Sequence, residues 1–292
     1  MQIQTLESVP ELSALYRRAA VEALGAKRSA DDDPQVGFRV EGLSIDVDHL
    51  ASYCEATGFR LGNEAPMLYP YVLAFPLAIL CMNHPTFPFA PMGVVHLANE
   101  IQQHRPLRVG EEFSAEVRAE NLRPHRRGLL VDMITRVFVG EELVWEQNST
   151  FLKVGAKFSS KAPTAVRTRG QDGARRLEAQ VDRARTPEAL LRFTPADVAR
   201  YAEASGDKNP IHTSKLGAKL FGFPRTIAHG MFTLAAVLAG QEGRMGEAVR
   251  VRAEFHKPVL LPARVEVIRN GDVLTVIKAG DHQKVHLVVE VS

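Results

Sequence analysis

A carboxylate and an imidazole stand five residues apart, at Asp207 and His212. Gly206 precedes them and Asn209-Pro210 lies between. Pro210 disfavours a continuing helix and pushes Asn209 toward extended backbone. The spacing therefore predicts an irregular loop on which two polar side chains converge. Such a pair can grip one water molecule and move one proton. The plainer alternative is that Asp207 caps a turn and His212 is an ordinary loop histidine, as most loop residues of these types are.

The elements that must hold this loop can be read from the flanking pattern. Thr194 precedes Pro195, and Asp197 follows three residues on, which predicts a helix start. Val198, Tyr201 and Ala202 then share a face, and Gly206 stops the helix. The stretch His229–Ala239 is apolar nearly all round and predicts a helix buried on most sides. Strands are expected at 249–255, which alternates with period two, and at 263–268 and 273–278 around Asn270-Gly271, a hairpin signal. A last strand is expected at 284–291.

The first half of the chain repeats this order. Residues 47–59 match 195–207, 69–75 match 223–229, and His104-Arg-Pro-Leu107 matches His256-Lys-Pro-Val259. Three matches in order, at nearly constant offset, indicate a duplicated domain. In the first half a buried helix is expected near 75–83, and strands near 112–120, 127–139 and 142–154 with a turn at Gly140-Glu141. The division is 1–154 for the first repeat, 155–190 for a charged linker with a helical stretch at 174–185, and 191–292 for the second. Periodicity alone gives an α+β fold with antiparallel sheet. The first repeat carries Phe59 where the second has Asp207, and Phe75-Pro76 where the second has His229-Gly230. Proline has no N–H to give, so the first repeat is expected to be non-catalytic.

Composition narrows the class. The formal net charge of +2 over 292 residues makes no case for nucleic acid. Two cysteines, Cys54 and Cys81, without metal-ligand spacing fit a reducing compartment. The start of the chain has no basic segment followed by an apolar core, and no apolar run is long enough to span a bilayer. A cytoplasmic location is expected.

The run Tyr201…Ser205-Gly206-Asp207-x-Asn209-Pro210-Ile211-His212, with the small Ala218 six positions on, resembles the signature of the MaoC-like dehydratases, or R-specific enoyl-CoA hydratases. The resemblance is tight over about 195–260 and loose before it. It implies a double hot-dog fold, in which each repeat wraps an antiparallel sheet around a buried helix. It also implies interconversion of trans-2-enoyl and (3R)-3-hydroxyacyl thioesters in fatty-acid metabolism. Asp207 and His212 are the expected catalytic pair, and the formal base between them stays open. Gly230 is the expected oxyanion donor, because the first N–H groups of a helix lack internal partners and glycine lets a thioester come close. Asn209 is grouped with it on the substrate side, chiefly as a brace for the loop. His229 is expected to pack at the helix start, and His104 and His256 to be structural residues in repeated strand positions. No metal and no cofactor is expected, since hydration needs neither. The partner is an acyl-CoA or an acyl-carrier-protein thioester, and a homodimer is left open. The space in the first half serves either a long acyl chain or as scaffold. A carrier-protein dehydratase is the near rival, a non-catalytic acyl-thioester-binding protein the rival of another class, and a hot-dog thioesterase is disfavoured by the Asp-x-Asn-Pro-x-His run.

Overall fold

The computed structural model describes residues 3–23, 28–91, 93–170, 177–182 and 186–292. Its elements run β1 (Gln4–Leu6), α1 (Leu12–Ala23), β2 (Val36–Leu43), α2 (Val47–Thr57), α3 (Tyr69–Asn83), β3 (Val94–Gln103), β4 (Phe113–His125), β5 (Gly128–Val139) and β6 (Glu142–Val154). They continue with α4 (Thr164–Arg167), β7 (Ala189–Phe193), α5 (Pro195–Ser205), α6 (Pro210–Thr213), α7 (Lys215–Leu220), α8 (Gly230–Ala239), β8 (Val249–Phe255), β9 (Ala263–Asn270), β10 (Val273–Lys278) and β11 (Asp281–Val291).

Two compact units form. One takes the described residues of Met1–Ser44, Leu73–Ile101 and Gly110–Arg175. Its strands lie in the order β1-β2-β4-β5-β6-β3. The pairs β2–β4, β4–β5 and β5–β6 are antiparallel, and the short β1 joins β2 in parallel. The inner face carries Val117, Met133 and Val137, all buried. Inside this unit, the Cys81 thiol of α3 reaches the Val117 carbonyl of β4 at 3.6 Å. Both cysteines are free and buried.

The other unit takes Ile45–Val72, Gln102–Val109 and the described residues of Arg176–Ser292. Its strands lie in the order β8-β11-β10-β9-β7, all antiparallel. Helix α8 lies on this sheet, with Phe232 edge-on to Phe193 of β7 at 5.3 Å between centroids. Two stretches from the first repeat group here, so the compact units do not divide at 154. The physical reason is helix pairing: α2 packs on α5, and the Tyr53 and Tyr201 rings meet at 6.4 Å.

Helices α2 and α5 show the duplication in their caps. Asp46 caps α2 through the Asp48 and His49 N–H groups, and Gly58 closes it in the left-handed region at φ 86°. Thr194 and Asp197 form a reciprocal capping box on α5, with Pro195 in the first turn and Gly206 closing at φ 70°. Strands β3 and β8 end one residue before His104 and His256 respectively. These two histidines therefore stand just past the strands, not within them.

Three local expectations are corrected. Helix α3 starts at Tyr69, well before 75, and runs through Pro76. Its residues from Tyr69 onward are mostly buried and apolar, and burial of that surface outweighs the cost of an internal proline, about 3 kcal/mol. No helix forms at 177–182; the expected helix positions 174–176 and 183–185 lie outside the described residues. There the Leu177 N–H donates to the Glu254 carboxylate at 2.8 Å, and the Gln180 N–H to Thr275 Oγ1 at 3.1 Å. Backbone donors used on the sheet are lost to a helix. The hairpin turn sits one residue later than Asn270-Gly271 suggests: Asn270 pairs with Val273, and Gly271 takes φ 59° at the first loop position.

No described helix is long and apolar enough to cross a membrane. Because the signature loop leaves directly from the end of α5, its position depends on that helix holding its register. Thr194→Ala should remove the capping box at a cost of about 1 kcal/mol. The expected result is a melting temperature lower by about 2–4 °C, read by circular dichroism; an unchanged Tm would show that α5 is held by packing alone.

Candidate active site

The signature loop is built by short-range hydrogen bonds. The Asp207 N–H donates to Ser205 Oγ at 3.2 Å, and the Asn209 N–H to Asp207 Oδ1 at 3.2 Å. Asn209 caps the short α6, its Oδ1 accepting from the Ile211 N–H at 3.3 Å. The side chain expected to brace the loop thus makes a bond of the bracing kind. Gly217 lies against Pro210 so closely that an added Cβ would stand 2.5 Å from the proline Cβ. This contact sets α7 against α6, the turn that carries His212.

Asp207, His212 and His229 come together. One donor atom from each lies within 4.8 Å of the others. His212 Nδ1 is 2.8 Å from the Ile227 carbonyl. A carbonyl only accepts, so Nδ1 carries the proton and neutral His212 presents Nε2 as a lone pair. Burial moves His212 below the ordinary histidine range, against the pull of the Asp207 charge. At neutral pH it is therefore an acceptor.

His229 is almost fully buried at 2 % exposure. Its Nε2–H donates to the Asp207 backbone carbonyl at 2.9 Å, and the Asp207 carboxylate lies 3.9 Å from the same nitrogen. Its ring lies against that of His212, with centroids 3.7 Å apart, and meets Tyr201 at 5.1 Å. Burial, aided by His212, pushes its pKa down to about 3. Two imidazoles in contact cannot both hold a proton cheaply, and both stay neutral here. The three side chains are the residue types of a two-histidine, one-carboxylate metal site. One nitrogen of each ring, however, is already committed to a backbone carbonyl.

His229 also precedes α8, whose first residue is Gly230. The N-cap residue His229 makes no side-chain cap bond to this helix end, whose first N–H groups lack intrahelical partners and carry partial positive charge. An added Cβ at Gly230 would stand 2.9 Å from the Phe255 ring. Glycine is thus needed here for packing against β8.

Tyrosines back the cluster. Tyr201 stacks on Phe232 at 5.0 Å. Burial raises the Tyr201 phenol, and the Asp207 charge raises it further. The phenol of Tyr71 is raised by burial, then by Tyr201 and by Asp207. Both hydroxyls keep their protons beside the carboxylate.

These residues can be set beside known proteins. Residues 176–289 match the MaoC like domain. The chain is 46% identical over 256 residues to 3-hydroxyacyl-thioester dehydratase X of Mycobacterium tuberculosis, covering 87% of this chain and 88% of that one. The chain belongs to the MaoC-like dehydratase family. The crystal structure of HtdX from M. tuberculosis superposes with a TM-score of 0.73 at 43% identity, over 87% of this chain and 98% of that one. A more distant relative is the peroxisomal enoyl-CoA hydratase 2 of Arabidopsis thaliana, 26% identical over 234 residues, 77% of this chain and 71% of that protein. The fold of this MaoC-like chain is the double hot dog implied by its signature.

Sequence reasoning placed Asp207, His212, Asn209 and Gly230, and the structure brings Asp207 and His212 together with His229. It missed Tyr71 and the Ile227 carbonyl. Tyr71 aligns with Arg225 in the repeat, so the repeat gave no signal for it. A backbone carbonyl leaves no mark in residue type at all.

The buried histidines make stability depend on pH. His229 titrates near 3 when folded, against an ordinary value of 6.5. A group whose folded pKa is depressed contributes stability that is complete above the unfolded value and is lost as pH falls toward the folded one. Stability should therefore drop between pH 6.5 and 3. The part due to His229 at pH 5 is about 2 kcal/mol. Denaturant midpoints measured across this range should fall more steeply for the wild type than for His229→Gln; parallel curves would show that His229 does not carry the effect.

Proposed function

We propose that the protein is a hydro-lyase that interconverts trans-2-enoyl and (3R)-3-hydroxyacyl thioesters, with Asp207 and His212 as its catalytic pair. The observation that carries this reading is the tautomer of His212. Its Nδ1 is committed to the Ile227 carbonyl, so Nε2 is left as an acceptor in a residue clustered with the Asp207 carboxylate, a second acceptor. A water molecule has two protons to give, and two acceptors hold it with an oxygen lone pair left for attack. The names of the two curated relatives, a 3-hydroxyacyl-thioester dehydratase and an enoyl-CoA hydratase, support the same chemistry.

In the hydration direction, one water O–H bond breaks and its proton goes to the Asp207–His212 pair. The oxygen bonds to the β-carbon of the enoyl group. The π electrons shift toward the thioester, whose oxygen gains negative charge. The Gly230 N–H, first in α8, donates to that oxygen. The proton then passes from the pair to the α-carbon, and the double bond is gone. Dehydration runs the same steps backward. Asn209 holds the loop, and His229 holds the Asp207 backbone and the His212 ring. His229 is a positioning residue, because its own donor is used on the Asp207 carbonyl.

The chemistry is assigned to residues 191–292. The first repeat, 1–154, supplies no acid, base or oxyanion donor, and 155–190 joins the two. The reaction takes place in the cytoplasm in this reading, on a CoA or carrier-protein thioester, without cofactor or metal.

Asp207→Asn and His212→Ala are each expected to slow hydration of crotonyl-CoA by about two orders of magnitude or more; near wild-type rates in either folded variant would remove the mechanism. The oxyanion donor is tested by a pair of variants. Gly230→Ala and Gly230→Pro both press on Phe255, but only proline deletes the N–H, and proline is tolerated in a first helical turn. The proline variant should lose about a further 100-fold in kcat. Equal rates for the two folded variants would rule the donor out.

A further inference from the structure

The segment that leaves the catalytic loop carries an uneven charge. From Lys208 to Gln241 there are four cations, Lys208, Lys215, Lys219 and Arg225, and no Asp or Glu. The whole chain has a net charge of only +2, so this is a local concentration. Lys208 is paired with Glu203 at 2.7 Å. Lys215, Lys219 and Arg225 are exposed, and among the described residues none of them has a carboxylate in ion-pair range. Between them, α7 raises Leu216 and Leu220, which are 78% and 80% exposed. One turn apart, they share a face, while Ala218 behind them is fully buried. Helix α7 begins three residues after His212 and is packed through Gly217 onto Pro210. Isolated exposed leucines need no explanation. Two on one face of a helix that also carries the exposed Lys215 and Lys219, with Arg225 five residues on, form a small apolar ridge in a basic segment, which we call its collar.

We propose that α7 is the docking surface for an acidic carrier domain that presents the acyl thioester on a flexible arm. This rests on the hydro-lyase reading and names the form in which that reaction's substrate arrives. The collar selects a partner with the opposite charge and speeds its approach. The ridge selects a partner with apolar side chains among its acids. The phosphates of a free CoA would engage the cations but have no use for two leucines that stand this far into solvent. An anionic lipid surface would use both, and is separated from the carrier domain by experiment.

The test compares two substrates on the full-length protein: crotonyl-CoA, and the same crotonyl group on an acyl carrier protein. Lys215→Glu/Lys219→Glu and Leu216→Ser/Leu220→Ser change only exposed side chains. Each should lower kcat/KM for the carrier-bound substrate by about tenfold, which is the loss of about 1.4 kcal/mol of docking, and leave crotonyl-CoA within twofold. Added salt should weaken the wild type on the carrier substrate and have little effect on the charge-reversed variant. Equal losses on both substrates would assign the cations to CoA and overturn the proposal, as would unchanged rates on both. Co-sedimentation with anionic vesicles that the same substitutions abolish, without any change on carrier substrate, would also overturn it. A binding isotherm with the crotonyl carrier protein reads docking apart from turnover. Wild-type binding that the variants lose, in a protein inactive on both substrates, would sink the hydro-lyase reading and leave the docking surface standing.

Discussion

The site depends on one buried imidazole that does no chemistry of its own in the proposed reaction. His229 ties the start of α8 to the loop after α5 by donating to the Asp207 carbonyl. Its ring is also the surface against which His212 lies. The hydrogen bond needs a proton on Nε2, and the low pKa keeps the ring neutral, so it imposes no charge on its neighbours. A lysine or arginine there could make the same bond, but would place a full charge against His212 and hold it in the wrong protonation state. A leucine would fill the space and free the loop. A neutral histidine gives a flat face and a directed donor together.

The buried tyrosines act in a related way. Their phenols are pushed above the ordinary range by burial and by the Asp207 charge. They therefore keep their protons and do not compete with the carboxylate for them. Tyr71, Tyr201 and His229 thus keep one protonation state near neutral pH, which suits the proposed assignment of the proton exchange to Asp207 and His212.

The parts of this arrangement that local chemistry controls were legible in the sequence. The start of α5 follows from Thr194-Pro195-x-Asp197, and its end from Gly206, because caps act within a few residues. The strands β8 to β10 follow from alternation and a Gly-bearing turn. The signature loop was legible because Asp207 and Asn209 shape it through bonds of short range, although the His212 ring is fixed by the Ile227 carbonyl fifteen residues on. What was not legible depends on distant partners. Residues 177–182 have a composition that suits a helix, but Glu254 and Thr275 take their backbone donors. Helix α3 passes through Pro76 because burial outweighs a local preference. Tyr71 reaches the site only through the fold, and its repeat partner is an arginine of different use. The grouping of Ile45–Val72 with the second unit is likewise a matter of packing between helices far apart in sequence.

That grouping bears on how a duplicated gene can lose a function. Helix α2 keeps its cap, its left-handed glycine and its buried Tyr53, while the position that would be its acid has become Phe59, which stacks on that same tyrosine at 6.4 Å. Selection on the chemistry could lapse there, but selection on the helix could not, since α2 is a wall of the unit that holds Asp207. A chain cut to begin at 191 would retain every residue assigned to the reaction and still expose the face of α5 on which Tyr53 rests. In the proposed assignment the working copy is then no longer separable from the silent one: where two repeats share a core, the repeat without chemistry serves as a structural subunit of the other, made on the same chain.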